Sequence, residues 1–188
     1  MVQLKPRFQT FEDYLAYADN SDKLYELFNG ELIELPPESG LNVEIATLLL
    51  TLFVAKVRYQ RVRGHGLELE VQGEPRNRYP DLTVIREEHI EQLRQRHTIR
   101  LSMAPPLLVV EVVSPGALQR DRDYIAKRNQ YEAVDIPEYW IVNPQEKTIL
   151  VLELLDGSYV EKNLFSGSDR ISSANLGDLS LTVTEVLS

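Results

Sequence analysis

The sequence contains no cysteine, which excludes disulfide bonds, zinc–thiolate centres, iron–sulfur clusters and cysteine nucleophiles. Its apolar runs are all shorter than the roughly 20 residues that a membrane-spanning helix needs. Residues 1–14 lack the apolar segment of a signal peptide. Because an absence of cysteine suits a reducing compartment, we expect a cytoplasmic protein that has no contact with membranes.

Positive charge is also scarce, since 20 Lys and Arg residues face 29 Asp and Glu residues, for a net charge of −9. Proteins that bind nucleic acid usually carry a basic surface. A nucleic-acid enzyme of this composition would have to concentrate its cations locally or use a metal ion to bridge carboxylates to phosphate. The 188 residues, 43% of them hydrophobic, predict a single domain over residues 1–188.

Two dipeptides predict tight β-hairpins near the two ends of the chain. Asn29-Gly30 separates the apolar runs 24–28 and 31–35, and Asp156-Gly157 separates runs 148–155 and 159–165. These residues tolerate the positive φ angles that a type I′ turn requires at both central positions. We therefore expect an N-terminal hairpin, and a C-terminal hairpin that extends a central sheet in antiparallel order.

The remaining pattern predicts an α/β fold, in which helices flank a mixed central sheet. Residues 41–60 should form a long, mostly buried helix with apolar positions at Val43, Ala46, Leu50, Val54 and Val57. Helices are also expected to start at Thr10 and to cover residues 120–134. Strands are predicted over 67–72, with one face exposed, and over 81–86, 107–113 and 138–142. Residues 87–100 are predicted to form either a surface helix or an irregular surface segment.

The most informative residue is Glu111, which lies inside the apolar run LLVVEVV. An ionised carboxylate buried without a partner is very costly. The sequence tolerates this cost if Glu111 contacts a cation, which can be either a metal ion or the side chain of an arginine or lysine. Exposure at the end of an edge strand would be a further explanation.

A second acid, Asp81, follows Pro80 at the start of the strand DLTVIR. Alone it could mark nothing more than a loop–strand junction. If this strand neighbours LLVVEVV, however, the two carboxylates come together, and at about 5 Å they repel by roughly 3 kcal/mol at an effective dielectric of 20. Carboxylates without nearby His or Cys favour Mg²⁺ or Mn²⁺. Asp81 and Glu111 are therefore the predicted metal ligands.

The helix that follows could supply a cation, because Asp123, Lys127 and Tyr131 are spaced i, i+4 and i+8 and share one face. In one interpretation Lys127 faces the carboxylates, where it orients the attacking water or neutralises charge on phosphorus. In the other, Asp123 and Lys127 form an exposed ion pair worth a few tenths of a kcal/mol. The spacing alone leaves both open.

Together these motifs resemble the Uma2 family, also called domain of unknown function 820, which is abundant in cyanobacteria. The residues that carry the resemblance are Tyr25-Glu26-Leu27 with Asn29-Gly30-Glu31-Leu32, Pro80-Asp81, the run 110–115 around Glu111, then Asp123, Lys127 and Tyr131, and the run 138–144, EYWIVNP. They extend from about residue 10 to the C-terminus.

The resemblance implies a restriction-endonuclease-like fold of the PD-(D/E)XK type, with Asp81 and Glu111 as its two acids. The lysine expected two residues after Glu111 is replaced by Val113, and Lys127 matches the position from which the family supplies it. Glu44 is a further possible metal ligand, since related nucleases often carry an acid on this helix; a favourable helix-dipole position explains it equally well.

These observations predict a Mg²⁺- or Mn²⁺-dependent endonuclease with Asp81, Glu111 and Lys127 as catalytic residues. Its expected substrate is nucleic acid, in particular DNA, and we expect it to act as a homodimer. The acidic charge and Val113 favour an alternative, a catalytically inactive dimeric binding or regulatory module on the same fold. A metal-dependent phosphodiesterase with a small substrate would use the same residues.

Overall fold

The computed structural model describes residues 7–17 and 23–188. Its strands, in chain order, are β1 (Tyr25–Phe28), β2 (Glu31–Glu34), β3 (Val62–Gly64), β4 (Glu68–Glu70), β5 (Asn77–Arg78), β6 (Leu82–Val84), β7 (Thr98–Ile99), β8 (Leu108–Val112), β9 (Glu138–Asn143), β10 (Thr148–Leu155), β11 (Ser158–Ser166), β12 (Arg170–Ser173) and β13 (Gly177–Thr182). Its helices are α1 (Phe11–Ala16), α2 (Gly40–Val54), α3 (His89–Gln92), α4 (Ala117–Asp121), α5 (Arg128–Ala133) and α6 (Val183–Val186).

The centre of the fold is a six-stranded sheet with the order β11-β10-β9-β8-β6-β3. Strands β8 and β9 run parallel, and the other neighbours are antiparallel. The predicted α/β architecture with a mixed central sheet is therefore confirmed. The apolar run around Glu111 forms β8, which is buried along its whole length.

The two faces of β8 pack against different helices, because successive side chains in a strand point to opposite sides. Val110 and Val112 join the core that contains Trp140 and the helix α2. Val109 and Val113 join a second core that contains Tyr131 of α5. Glu111 shares this second face, so its carboxylate points toward the helix that follows β8.

Helix α2 is shorter than predicted, and its buried face differs from the predicted one. The Ser39 hydroxyl caps it by accepting from the Asn42 N–H, and it ends at Val54. The buried side chains are Asn42, Ile45, Leu49 and Phe53, whereas Val43 is half exposed. The prediction was wrong at Val43, whereas the other predicted positions are partly buried and pack against the core, namely Ala46, Leu50, Val54 and Val57. Because this helix is apolar around most of its circumference, hydrophobicity alone does not select its fully buried residues.

The predicted helix over 120–134 begins earlier, at Ala117, and has an irregular middle. An α-helical turn, α4, is followed by a π-helical segment, Arg122–Lys127, and then by α5. π-Helical turns are rare and occur frequently at functional sites. The segment contains both Asp123 and Lys127, which are buried.

The predicted strand over 67–72 is limited to β4, and the expectation of one exposed face was wrong. Glu68 is 4% exposed and accepts hydrogen bonds from Tyr14 and Tyr79 hydroxyls, from the Asn77 amide and from the Thr98 hydroxyl. A polar residue in an alternating pattern can thus be buried when donors surround it. Residues 87–100 provide the short elements α3 and β7.

The C-terminal hairpin joins β10 to β11, and Asp156 and Gly157 adopt positive φ angles of 51° and 80°. Its pairing matches Glu161 to Leu152 and Asn163 to Val151, which leaves Lys162 in a β-bulge. Strand β11 forms one edge of the central sheet. The predicted antiparallel extension of the sheet is confirmed.

The N-terminal hairpin, β1–β2, turns at Asn29 and Gly30, whose φ angles are 49° and 78°. The Phe8 N–H donates to the Gly30 carbonyl, and a Cβ at Gly30 would lie 2.5 Å from the Phe8 carbonyl oxygen. Thr10 starts α1 with a capping box, as predicted; residues 18–20 of the predicted helix lie outside the described residues. Among helices of the described chain, none is long and apolar enough to cross a membrane.

The close contact at Gly30 gives a first testable prediction. Gly30→Ala should lower the free energy of unfolding by about 1–3 kcal/mol, because alanine resists the positive φ and its Cβ collides with the backbone. Gly157→Ala is a matched control, since its φ is 80° and nothing lies within 4 Å of the added Cβ. Urea denaturation of both variants measures the difference, and equal losses would mean that the Phe8 contact adds nothing.

Candidate functional site

Strand pairing places the two predicted acids side by side. Leu82 of β6 pairs with Val110 of β8 in antiparallel register, so Asp81, one residue earlier, meets Glu111, one residue later. The Asp81 Oδ2 atom accepts a hydrogen bond of 2.6 Å from the Val112 N–H. Both side chains line one pocket, which also contains Lys127. The structure thus brings together the three residues predicted as catalytic.

Glu111, which is 1% exposed, has a partner at each carboxylate oxygen. Its Oε2 atom lies 2.7 Å from the Lys127 Nζ atom, and its Oε1 atom accepts a hydrogen bond of 2.5 Å from the Tyr131 hydroxyl. An ion pair with a lysine was one of the explanations that the sequence left open for this buried acid. It occurs here beside Asp81, inside the same pocket.

Lys127 is held between two acids. Its Nζ atom lies 3.0 Å from the Asp123 Oδ1 atom as well as 2.7 Å from Glu111, and all three side chains are buried. Within residues 7–17 and 23–188, the second oxygen of Asp123, Oδ2, has no hydrogen-bond partner. The Asp123–Lys127 pair is therefore not the exposed ion pair that the sequence allowed, and the π-helical segment that contains it aims the amine at β8.

The electrostatics of the pocket follow from burial and from these contacts. Burial and the neighbouring Glu111 charge raise the pKa of Asp81 to about 8. Burial also raises the pKa of Glu111, although Lys127 opposes this shift. Burial opposes the charge of Lys127, but Glu111 and Asp123 raise its pKa nonetheless. The amine is thus a stable cation at neutral pH, whereas Asp81 ionises fully only when another cation comes close.

Two further residues approach Asp81 that the sequence analysis did not assign to a site. Glu38, His65 and Asp81 each offer a ligand atom, and these atoms lie within 4.8 Å of one another. The His65 Nδ1 atom is 3.9 Å from the Asp81 Oδ1 atom. This donor set has the composition of a divalent metal site, so the described residues can accommodate the metal ion that the paired acids predicted.

The position of His65 follows from strand pairing that the sequence did not reveal. Gly64 of β3 pairs with Leu82 of β6, so the next residue, His65, comes opposite Asp81. The histidine lacks any ligand-spacing motif, and only a predicted β3–β6 pairing could have identified it. Glu38 lies in the Pro-rich segment before α2, where composition indicates a loop and nothing more.

Glu44, the remaining candidate ligand, is not brought to this pocket. It is exposed, and at 3.6 residues per turn it lies roughly opposite Asn42 on α2. Asn42 is directed toward the end of β8, since its Nδ2 atom donates to the Val112 carbonyl and to the Ser114 hydroxyl. The helix therefore contributes an amide to the neighbourhood of Asp81, and the acid of this region is Glu38.

Comparison with known proteins identifies the family of this chain. Residues 11–184 match the model of the Uma2 family, which is described as "Putative restriction endonuclease". The chain belongs to the Uma2 family. No curated protein matched the chain.

The Uma2 fold is also present in a solved structure from Anabaena variabilis, a crystal structure described as "a putative nuclease belonging to DUF820". The TM-score is 0.67 at 14% sequence identity, and the match covers 95% of this chain and 97% of that one. At this identity the likeness establishes the shared fold. It confirms that this chain shares the mixed α/β fold of that structure.

This Uma2 chain has Val113 where the parent nuclease motif has lysine, and the structure shows the consequence. Val113 is buried among apolar side chains on the same face as Glu111. Lys127 reaches Glu111 from the helical side of that face instead. An amine from the π-helical segment thus stands beside the second acid of the motif.

Proposed function

We propose that this protein is a metal-dependent endonuclease that hydrolyses phosphodiester bonds of nucleic acid, with DNA as its substrate. The observation that carries the proposal is the convergence of Asp81, Glu111 and Lys127 in one pocket. Membership of a family described as restriction endonuclease supports it. We also propose that it acts in the cytoplasm and as a homodimer, since enzymes that cut duplexes commonly need one active site for each strand.

The three residues have distinct proposed roles. Asp81 and Glu111 present carboxylate oxygens to Mg²⁺ or Mn²⁺, and such an ion would polarise a phosphate oxygen and activate water. The Lys127 amine lies beside Glu111 and offers a positive charge to the negative charge that develops on phosphorus. Glu111 and Asp123 fix the position of this amine before the substrate arrives, so no reorganisation is needed during the reaction.

The distribution of arginines supports a bridging role for the metal. Of the arginines in the middle of the chain, Arg58 is paired with Glu87, Arg76 with Glu74 and Arg78 with Glu26. These three cations are neutralised within the protein, whereas Arg61 and Arg63 donate to backbone carbonyls. With a net charge of −9, the protein also needs the pocket itself to attract phosphate, and there Arg122 is partly exposed beside Asp123.

A cleavage assay tests the proposal directly. Wild-type protein should cut plasmid DNA in the presence of Mg²⁺ or Mn²⁺ and should be inactive with EDTA. Asp81→Ala, Glu111→Ala and Lys127→Ala should each lower the rate by about 10²-fold or more, while Lys56→Ala, at the C-terminal end of α2, should cut normally. If a commercial nuclease cuts the same DNA and the wild-type protein leaves DNA and RNA intact with either ion, the proposal fails.

One observation favours the alternative of a non-catalytic module. Both oxygens of Glu111 already have partners within the protein, and a structural network of this kind needs no metal. Metal titration separates the two functions. A module without a metal site should show no rise in melting temperature when Mg²⁺ or Mn²⁺ is added near neutral pH, whereas a bound ion stabilises the folded state by about 2.7 kcal/mol at 100 times its Kd.

A further inference from the structure

We propose that the metal ion is held by Glu38, His65 and Asp81, and that the site selects a first-row transition-metal ion of the Mn²⁺ type over Mg²⁺. This inference rests on the proposed function and specifies its cofactor. Glu38 and His65 become ligands in addition to Asp81, the acid that the sequence motif assigns. It also gives Glu111 a different task, which is to hold the Lys127 amine.

The geometry of the three side chains supports a common ion. Their ligand atoms all lie within 4.8 Å of one another, and the His65 Nδ1 and Asp81 Oδ1 atoms are 3.9 Å apart. Donors at about 2.1–2.2 Å from one ion can be separated by at most roughly 4.4 Å. Small side-chain rotations of Glu38, which is on a loop and partly exposed, suffice to close the difference.

The backbone fixes the other two donors. His65 directly follows β3 and Asp81 directly precedes β6, and these strands are paired through Gly64 and Leu82. The Asp81 Oδ2 atom is held by the Val112 N–H, which leaves Oδ1 directed toward His65. Two of the three donors are therefore preorganised by the central sheet, as a binding site requires.

A second observation points to a ligand at the same place. Asn42 is 2% exposed, and its Oδ1 atom has no hydrogen-bond partner among the residues that the structure describes. Its Nδ2 atom donates to the Val112 carbonyl and lies 3.5 Å from the Glu38 carboxylate. Asn42, Glu38, His65 and Asp81 line one pocket. A buried amide oxygen without a donor is costly, and a cation with its water shell in this pocket would satisfy it.

The chemistry of the donors decides the class of ion. Mg²⁺ prefers oxygen ligands and keeps several waters, whereas imidazole suits first-row transition metals. One imidazole nitrogen with two carboxylates is a mixed set that Mn²⁺ accepts and that Mg²⁺ fills poorly. Glu111 stands outside the group of mutually close ligand atoms and is bound to Lys127 and Tyr131, so the ion lies on the Glu38 side of Asp81.

Electron spin echo spectroscopy of the Mn²⁺-loaded protein tests the inference without measuring activity. The wild type should show ¹⁴N modulation from a coordinated imidazole, and His65→Gln should abolish it. His97→Gln is the matched control, because His97 is exposed and should leave the signal unchanged. By calorimetry, His65→Gln and Glu38→Gln should weaken Mn²⁺ binding about tenfold or more, while Glu31→Gln, an exposed acid of the N-terminal hairpin, should not.

The outcomes separate this inference from the proposed function. Mn²⁺ binding without ¹⁴N modulation, weakened by Asp81→Asn and Glu111→Gln but not by His65→Gln, overturns the inference and leaves the nuclease proposal intact. Modulation that persists in His65→Gln overturns it as well. If calorimetry detects no divalent ion on folded wild-type protein, both the inference and the proposed function fail.

The selectivity has its own test. Mg²⁺ should displace Mn²⁺ only at about a tenfold excess or more, and displacement at equal concentrations contradicts the proposed selectivity.

Discussion

Lys127→Met should lower the free energy of unfolding by about 3–5 kcal/mol at pH 8, because it leaves two buried carboxylates without their cation. Glu111 and Asp123 both lie within hydrogen-bonding distance of the amine, and methionine fills a similar volume without offering a charge. The loss should be smaller at pH 5, because burial raises the pKa of Glu111 and this acid becomes neutral more readily as the pH falls. Urea denaturation at the two pH values measures the effect.

Lys162→Met provides the contrast for this prediction. Lys162 is about half exposed and lies 3.6 Å from Glu153, and exposed pairs of this kind contribute about 0–1 kcal/mol. Adding Glu111→Gln to Lys127→Met should restore part of the lost stability, because it removes one of the unpaired charges. A Lys127→Met protein as stable as Lys162→Met would show that the amine does not sit between the two acids.

Asp81→Asn should have the opposite effect on stability, although it removes the proposed metal site. The pKa of Asp81 is raised from 3.8 to about 8 in the folded protein, so its contribution to stability is fully present below about pH 4. That contribution falls as the pH rises toward 8, because the unfolded chain ionises first. At pH 8 the metal-free Asp81→Asn variant should therefore be more stable than the wild type, on the order of 3 kcal/mol.

The same variant should lose its response to metal. Mn²⁺ should raise the melting temperature of the wild type, increasingly between pH 6 and pH 8.5 as Asp81 gives up its proton, and should leave the Asp81→Asn variant unchanged. Asp178→Asn, at an exposed position, should keep both the wild-type stability and the metal response. A variant at Asp81 that is destabilised at pH 8 and still binds metal would refute the assignment of this acid.

Much of the fold could be predicted because local chemistry and long-range pairing agree. The two hairpins follow from Asn29-Gly30 and Asp156-Gly157, whose backbone angles suit the turns. The central strand follows from the apolar run around Glu111. The central residues of the site could be predicted for a related reason. A carboxylate in such a strand needs a cation, and Lys127 follows Asp123 at the spacing of one helical turn.

The parts that could not be predicted depend on pairings between distant segments. His65 meets Asp81 because β3 pairs with β6, and no local pattern encodes that register. Glu68 is buried because four donors from three separate segments surround it. The prediction missed the fully buried residues of α2, because apolar residues surround the helix and the polar residue Asn42 lies on its buried side.

The bulge at Lys162 bears on how copies of this protein can associate. Strand β11 exposes Val160 and Leu164 along an outer rim of the sheet, which is a surface that could recruit a strand from another molecule. An unmatched residue twists the ribbon locally, and here it also carries a charge that a neighbouring backbone would have to bury. Edge-to-edge growth into fibrils is thereby obstructed at this rim, and the homodimer that we propose would assemble through another surface.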